Sequence, residues 1–283
     1  ILSGLVGSEM CIRDSIKFIG NSSIAQAGTI TLAKNTSSVS QSVVYDTRTG
    51  NSSSSISEGT LTITTSGATN AVNYLVMTNG APITIGGARS LPGYILYDNT
   101  CYGCTTAGVS DLTPSNATTT NTTTSVGITV SGNQSAGSYG GAGNYIWIDG
   151  INASSTNAAV ALGTSTLTIA SASTYASGSP NGVAAITVIG NKNSANKGNA
   201  GITSTGAITE SAVGGDILFQ SNGSVSQSGA ISVAANNSGH SQSITYDTTS
   251  GNLNASITSG SLTVASGSSS AVNYIEKLSL IHI

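Results

Sequence analysis

The chain has 283 residues and a net charge of −3, and only 7% of its residues are charged, against roughly a quarter in typical globular proteins. Eight Lys and Arg residues without a basic cluster exclude the electrostatic surface that holds nucleic acid. The 38% of hydrophobic residues recur in a pattern, which argues against disorder, and no run reaches the ~18 apolar residues of a membrane helix, so we expect no membrane insertion.

The two ends differ in kind from the rest of the chain. Residues 1–15 hold Met10, Cys11 and Arg13 in a sequence where such residues are rare. The segment from Ser3 to Ser15 resembles a translated sequencing-adapter read-through, and residues 278–283 resemble the other adapter of the same kind. We therefore expect 1–15 and 278–283 to be adapter-derived artefacts. Residues 16–277 would then be a fragment of a parent chain that continues at both ends.

The first regular stretch predicts strands at about 16–19, 23–32, 41–46, 54–64 and 71–77, because short alternating runs are bounded there by Gly, Asn, Ser or Thr. Residues 217–274 look like a second copy of 16–74. Phe18 matches Phe219 at an offset of 219 − 18 = 201, and Gly28 matches Gly229 at the same offset. Such a duplication predicts a modular array around a less regular middle, 75–216.

The middle contains two further predicted strands, Gly93 to Tyr97 and Tyr145 to Ile148, and irregular loops at 99–124 and 132–143. The first loop carries Cys101 and Cys104. A zinc site needs four ligands, and a redox motif expects a βαβ context, neither of which the sequence supplies. We expect a local disulfide between Cys101 and Cys104, as in exported proteins, with two free thiols as the alternative.

A five-residue motif of the form small–small–aliphatic–Thr/Ser–aliphatic, as in Gly229 to Val233, recurs along the chain. Its centres are Thr31, Thr62, Thr84, Thr129, Thr168, Thr187, Thr209, Ser232 and Thr263, with spacings of 31, 22, 45, 39, 19, 22, 23 and 31. If 45 and 39 each span a skipped repeat, the period is about 20 residues, which is typical of solenoids. The motif predicts an all-β, parallel β-solenoid of about 12 coils with aliphatic residues inside and hydroxyls outside.

Three stretches resemble the repeats of filamentous-haemagglutinin-like secreted bacterial adhesins: Gly223 to Val233, Ser243 to Thr248 and Gly260 to Val264. The resemblance implies a single-stranded right-handed parallel β-helix, secreted or on the outer cell surface of a bacterium. It implies a non-catalytic structural or adhesive role. We expect no cofactor and no metal. The expected partner is a host-surface, glycan or neighbouring-cell ligand.

A second interpretation rests on Ile146 to Asp149, which is similar to a W-I-D-H motif of pectate lyases, enzymes with a β-helix fold. Gly150 replaces the His, and neither Arg48 nor Arg89 fits the catalytic pattern of that family. Trp147 and Asp149 are the candidate residues of such a polysaccharide-active site. The favoured interpretation is a core strand that ends at a turn. A cleft lined by several carboxylates beside Asp149 would support the enzyme, and only Ser, Thr and Asn there would exclude it.

The remaining acidic residues stand singly along the chain. Asp46 and Asp247 occupy matching positions in the two copies, which predicts a turn role.

A third functional class, ice binding, is raised by Thr-x-Thr pairs such as Thr29/Thr31 and Thr166/Thr168. Ice binding needs hydroxyl ladders in register, and we expect the uneven motif spacing to break them.

Overall fold

The computed structural model describes residues 15–50, 53–63, 68–100, 125–137, 145–152, 157–170, 185–191, 200–211, 214–249 and 254–278, and this part of the chain contains strands and no helix. The strands are β1 (Ile16–Ile19), β2 (Ile24–Leu32), β3 (Gln41–Asp46), β4 (Ile56–Ile63), β5 (Val72–Met77), β6 (Ile83–Ile85), β7 (Arg89–Ser90), β8 (Ile95–Asp98), β9 (Ile128–Val130), β10 (Gln134–Ala136), β11 (Ile146–Gly150), β12 (Val160–Gly163), β13 (Leu167–Ile169), β14 (Ile186–Gly190), β15 (Ile202–Ser204), β16 (Ile208–Glu210), β17 (Ile217–Ser221), β18 (Val225–Gln227), β19 (Ile231–Val233), β20 (Gln242–Asp247), β21 (Ile257–Ser259), β22 (Leu262–Val264) and β23 (Val272–Lys277).

The strands form three parallel sheets that the chain visits in turn. Sheet I has the order β1-β3-β5-β8-β11-β14-β17-β20-β23, sheet II the order β2-β4-β6-β9-β12-β15-β18-β21, and sheet III the order β7-β10-β13-β16-β19-β22. Each strand therefore pairs with its equivalent one coil away, which is a parallel β-solenoid, as predicted. The five strands predicted for the first copy are confirmed to within two residues at each end. The right-handed sense of the coil stays a prediction.

The predicted number of about 12 coils is wrong for the described residues, which contain nine strands of sheet I and so nine coils. The motif is not confined to one sheet: Thr84 lies in sheet II, Thr168 in sheet III and Thr187 in sheet I. Spacings between motif centres therefore mix steps within a coil with steps between coils. The spacing of 45 hides no skipped repeat, since Thr84 and Thr129 are direct neighbours in the β6–β9 pairing.

The two predicted loops are only partly loops. Strand β10 lies inside the segment 132–143, and its Gln134 and Ala136 are fully buried, so this part of the loop prediction is wrong. Residues 138–144 and 101–124 lie outside the described residues, and so do Cys101 and Cys104. The disulfide stays a prediction.

The interior of the solenoid follows from alternation. From Val225 to Val233 the side chains alternate between buried and exposed, with the aliphatic residues and Gln227 inside. Aromatic residues stack along the inner face of sheet I: the Phe18 and Tyr45 ring centroids are 4.6 Å apart, and Tyr74 meets the rings of both Tyr45 and Tyr97 edge-on at 6.1 Å. The result is one continuous core along the coil axis.

The two copies fold in the same register. Ile16 pairs with Val43 in the first copy, and Ile217 pairs with Ile244 in the second, so both partners keep the offset of 201. Among the described residues, no helix is long and apolar enough to cross a lipid bilayer.

Candidate functional site

The outer face of sheet I carries the densest group of functional side chains. In β11, Ile146 and Ile148 are buried in the core column, so the alternating residues Tyr145, Trp147 and Asp149 face outward. The same alternation turns Tyr94, Leu96 and Asp98 outward at β8, and Thr187 at β14. The sheet thus presents a grid of outward side chains across three neighbouring strands.

Six of these residues are called the outer patch below: Tyr94, Tyr145, Trp147, Thr187, Asp98 and Asp149. The rings of Tyr94 and Tyr145 stack with their centroids 4.5 Å apart and an interplanar angle of 8°. Trp147 is paired in register with Leu96 on one side and with Thr187 on the other. Tyr94 and Trp147 also pack against a second apolar cluster, which consists of Val44, Leu75, Met77 and Leu96. The outer patch therefore has aromatic residues at one end and at its centre, and these residues pack against apolar side chains.

Two carboxyl groups lie at the other end of the outer patch. The register sets Asp98 directly beside Asp149, although the two are 149 − 98 = 51 residues apart in the chain. Their exposed fractions are 7% and 6%. Burial raises the pKa of Asp98, against the opposing effects of hydrogen bonds from Thr100 and of the Arg48 charge. One carboxylate therefore lies beside Asp149, where the polysaccharide-active interpretation asks for a cleft lined by several, and the neighbour of Asp149 on its other side is Ile189.

Hydrogen bonds also assign a structural task to the strand-end aspartates. Asp98 Oδ1 accepts from the Thr100 backbone N–H at 2.7 Å and from its hydroxyl at 2.6 Å. Asp46 Oδ1 accepts the N–H of Arg48 at 2.9 Å, and Asp247 Oδ1 accepts the N–H of Thr249 at 2.9 Å. Each bond runs two residues along the chain and closes an Asx turn. The predicted turn role of Asp46 and Asp247 is confirmed.

Two buried polar atoms at the centre of the outer patch have no hydrogen-bond partner. They are Nε1 of Trp147 and Oγ1 of Thr187, which occupy paired positions on β11 and β14. Thr187 is fully buried. Sequence reasoning missed Thr187, because it treated this residue as one more exposed motif centre. A useful signal was available in the strand sequence from Ile186 to Ile189. The residues on both sides of Thr187 are aliphatic there, which indicates a buried strand.

A second polar constellation lies inside the solenoid, away from the outer patch. Arg89 and Glu58 form an ion pair at 3.0 Å, and both side chains are completely buried. Arg89 also donates to the carbonyls of Gly87 at 2.6 Å and Gly59 at 2.8 Å, and its guanidinium lies 5.3 Å from the centre of the Tyr74 ring. Burial raises the pKa of Glu58 to about 7, although the Arg89 charge opposes the rise. This pair is enclosed by the core, so its role is structural.

Sheets II and III present a third kind of surface. Their central outward residues form two columns, Ser57-Thr84-Thr129-Ala161-Thr203-Ser226-Thr258 and Ser90-Ser135-Thr168-Thr209-Ser232-Thr263. The residues of each column are paired from strand to strand, and the register shift in the β12–β15 pairing comes only after Ala161, so the expected loss of register along the columns is wrong. The uneven spacing in the sequence is absorbed between the strands, and none of the column residues is charged.

Neither a metal site nor a similarity to known proteins assigns a function to these residues. Within the ranges that the structure describes, no group of three or more His, Cys, Asp or Glu residues is arranged to hold a metal ion. No protein-family model, curated protein or solved structure matches this chain.

Proposed function

We propose that the chain is a non-catalytic structural or adhesive segment of a large exported bacterial surface protein. The observation that supports this most is the pair of uncharged columns on sheets II and III, whose paired residues all carry a hydroxyl except Ala161. A stack in which each coil contacts only its neighbours makes a stiff, extendable rod. Such a rod suits a stalk that holds partner-binding loops away from a cell.

The adhesive role is tested by coating beads with the full chain and measuring their retention on monolayers of epithelial cells and of bacteria. Beads coated with serum albumin are the control. We expect the chain to raise retention on at least one of these surfaces, through a host-surface, glycan or neighbouring-cell ligand. Retention equal to that of albumin beads on all of them would reject the adhesive role.

A polysaccharide-active enzyme is the second candidate, and the position of Asp98 beside Asp149 favours it. Paired carboxyl groups are the usual acid–base apparatus for glycosidic bonds, and burial raises the pKa of one of this pair, Asp98. The test is incubation with polygalacturonate and with neutral glucans, followed by chromatography of the products, with Asp149→Asn as the control. Product formation that stops in Asp149→Asn would establish the enzyme and overturn the non-catalytic role.

The register of the hydroxyl columns also supports ice binding. Strands of three residues, such as β6 and β9, turn only one side chain outward per coil within each sheet, so a flat face needs sheets II and III together. Thermal hysteresis of the full chain tests this directly. Freezing at the melting point, without hysteresis, would remove ice binding from consideration.

A further inference from the structure

We propose that Tyr94 and Tyr145 are the site of an oxidative modification, a dityrosine cross-link that joins two neighbouring coils of the solenoid. This inference goes beyond the proposed adhesive role and does not depend on it, because it concerns two phenol rings and their reaction with an oxidant. Three features of the pair support it: the alignment of the rings, the hydrogen bond between their hydroxyl groups, and the access of one ring to solvent.

The two rings are aligned for a bond to form between them. Tyr94 and Tyr145 precede the paired residues Ile95 and Ile146 on neighbouring strands, and the Ile95 N–H donates to the Tyr145 carbonyl at 2.9 Å. Their side chains therefore leave the same face of sheet I side by side, with ring centroids 4.5 Å apart and planes only 8° from parallel. Groups that are held together in this way react without most of the entropy cost of an encounter.

Three other tyrosine pairs in the described part of the chain lack this alignment. The ring planes of Tyr45 and Tyr74 meet at 69°, those of Tyr74 and Tyr97 at 87°, and those of Tyr246 and Tyr274 at 52°, with centroids 5.9–6.1 Å apart. The first two pairs are also enclosed in the core. Tyr274 is 42% exposed, so the pair of Tyr246 and Tyr274 is open to an oxidant but poorly aligned. That pair is the internal control.

The hydrogen bond gives the more buried ring a route to the oxidant. Tyr94 is partly exposed, whereas Tyr145 is only 4% exposed, so an oxidant reaches Tyr94 first. Burial raises the pKa of Tyr94, against the hydrogen bond from the Tyr145 hydroxyl, and burial also raises the pKa of Tyr145. Both phenols therefore keep their protons at neutral pH. Because the Tyr145 hydroxyl donates to the Tyr94 oxygen, a hydrogen atom can pass from Tyr145 to an oxidised Tyr94.

The reaction balances with a peroxide as the oxidant, used by a haem peroxidase that removes one electron at a time. Tyr94 gives an electron to the oxidant and its phenol proton to water, and the resulting radical takes the hydroxyl hydrogen of Tyr145. A second oxidation of Tyr94 leaves both rings as radicals. A C–C bond then forms between carbons ortho to the two oxygens, and the hydrogens on those carbons move through water to the oxygens. The two electrons and two protons released reduce one hydrogen peroxide to two waters.

The cross-link closes the longest coil of the stack. The register partners Ile95 and Ile146 are 146 − 95 = 51 residues apart, and the next longest step along sheet I, from Ile146 to Ile186, is 186 − 146 = 40. A covalent bond at the base of a loop removes conformational freedom from the unfolded chain, and this effect grows with the length of the loop. Among the coils of sheet I, the bond therefore stabilises most where it is placed here.

The experiment oxidises the full chain at low concentration with a haem peroxidase and hydrogen peroxide, and it maps the products by digestion and mass spectrometry. We expect a peptide pair joined through Tyr94 and Tyr145, two hydrogen atoms lighter than its parts, in roughly tenfold excess or more over a pair joined through Tyr246 and Tyr274. Tyr145→Phe keeps a ring in the stack and should remove most of the dityrosine fluorescence. Tyr274→Phe is the matched control and should leave that fluorescence unchanged. Absence of the Tyr94–Tyr145 product from the oxidised parent, or equal fluorescence in Tyr145→Phe and the parent, would overturn the proposal.

Thermal unfolding tests whether the bond holds the two coils together. The cross-linked parent should unfold roughly 5–10 °C above the untreated chain, whereas Tyr94→Phe should gain nothing from the same treatment. An equal gain in Tyr94→Phe would assign the effect to another oxidation product and overturn the cross-link as its cause. An unchanged Tm in the cross-linked parent would overturn the stabilisation of the coil.

Discussion

The ion pair between Glu58 and Arg89 is the most demanding residue-scale feature of the core. Taking two charges out of water costs several kcal/mol each, and mutual attraction returns this only when the geometry is good. Arg89 is well placed, with two carbonyls and the Tyr74 ring around it, yet its Nε and the Oε1 of Glu58 have no hydrogen-bond partner. The desolvation cost of the pair is therefore only partly offset by hydrogen bonds and attraction. As a result, the protonation state of Glu58 affects the stability of the fold.

The first prediction concerns pH. The pKa of Glu58 rises from 4.5 to about 7 on folding, chiefly by desolvation, so the folded chain binds this proton more tightly than the unfolded chain does. The contribution of Glu58 to stability is complete below pH 4.5 and is lost as the pH rises through 7, by about 3 kcal/mol in all. Denaturant unfolding between pH 4.5 and 8 measures the loss.

The control for the pH prediction is Glu58→Gln, which removes the titrating group. Other groups around the pair do not titrate in this window: burial raises the pKa values of Tyr45 and Tyr97 well above their usual range. The difference in unfolding free energy between the parent and Glu58→Gln should therefore change with pH between 4.5 and 7. A constant difference would contradict the raised pKa.

The second prediction replaces Glu58 and Arg89 by aliphatic residues of the types that stand at equivalent inward positions in other coils. Ile85 follows Glu58 in sheet II, and Leu167 stands two coils from Arg89 in sheet III. Arg89→Leu alone should destabilise the fold by about 3–5 kcal/mol, since it strands a buried carboxyl group. Glu58→Ile combined with Arg89→Leu should restore parental stability or exceed it. Equal losses in the single and double variants, compared by denaturant unfolding, would show that packing and not charge sets the cost.

Glycines at one corner fix how the strands of sheets II and III follow each other. A Cβ at Gly229 would lie 1.9 Å from the carbonyl oxygen of Gly206, and one at Gly260 would lie 1.8 Å from that of Gly229. The backbones of neighbouring coils thus touch at this corner, and a side chain there would force the coils apart. This is the physical basis of the Gly that opens the repeated motif.

The third prediction compares the two copies at this corner. Gly229→Ala should cost about 1–3 kcal/mol, which is typical of overpacking, and it should lower Tm. Gly28→Ala is the matched control, because Gly28 occupies the equivalent position in the first copy and a Cβ there meets nothing within 4 Å. We expect Gly28→Ala to change stability by no more than about 0.5 kcal/mol. Thermal unfolding measures both, and equal effects would mean that coil contact at the corner is not what demands glycine.

Local pattern was enough to predict the strands but not the coils. Strand bounds followed from alternation and from Gly, Asn and Ser at the corners, all of which are properties of a few neighbouring residues. The coil count and the two polar pairs depend on which strands become neighbours. Asp98 and Asp149 are 149 − 98 = 51 residues apart, and Glu58 and Arg89 are 89 − 58 = 31 apart, with different lengths of intervening chain. Only the register brings these residues together. The repeated Tyr-Asp at the ends of β3, β8 and β20, with Asp46, Asp98 and Asp247 as the last residues, was the signal that could have aligned the coils of sheet I.

At the scale of the whole molecule, position in the stack changes the environment of equivalent residues. Ile217 and Phe219 of β17 are fully buried, whereas their equivalents Ile16 and Phe18 of β1 are only partly buried. At the other end, Tyr274 is 42% exposed and its first-copy equivalent Tyr74 is 1% exposed. Similar sequences thus occupy covered and uncovered coils of one chain, which makes the two copies internal controls for each other.

The fourth prediction uses this internal control. In a stack with only nearest-neighbour contacts, a terminal coil loses half of its stabilising interface and opens first. Backbone amides of β17 should therefore exchange with deuterium roughly 100-fold more slowly than those of β1, and amides of β5 more slowly than those of β23. Hydrogen exchange of the native chain, read by mass spectrometry on peptides from each strand, tests both comparisons. The two strands of each pair have similar amino-acid sequences, so their intrinsic exchange rates are nearly equal. The difference in protection between them therefore reports coil position. Uniform protection across both pairs would show that the solenoid opens only as a whole, and nearest-neighbour stacking would not describe its stability.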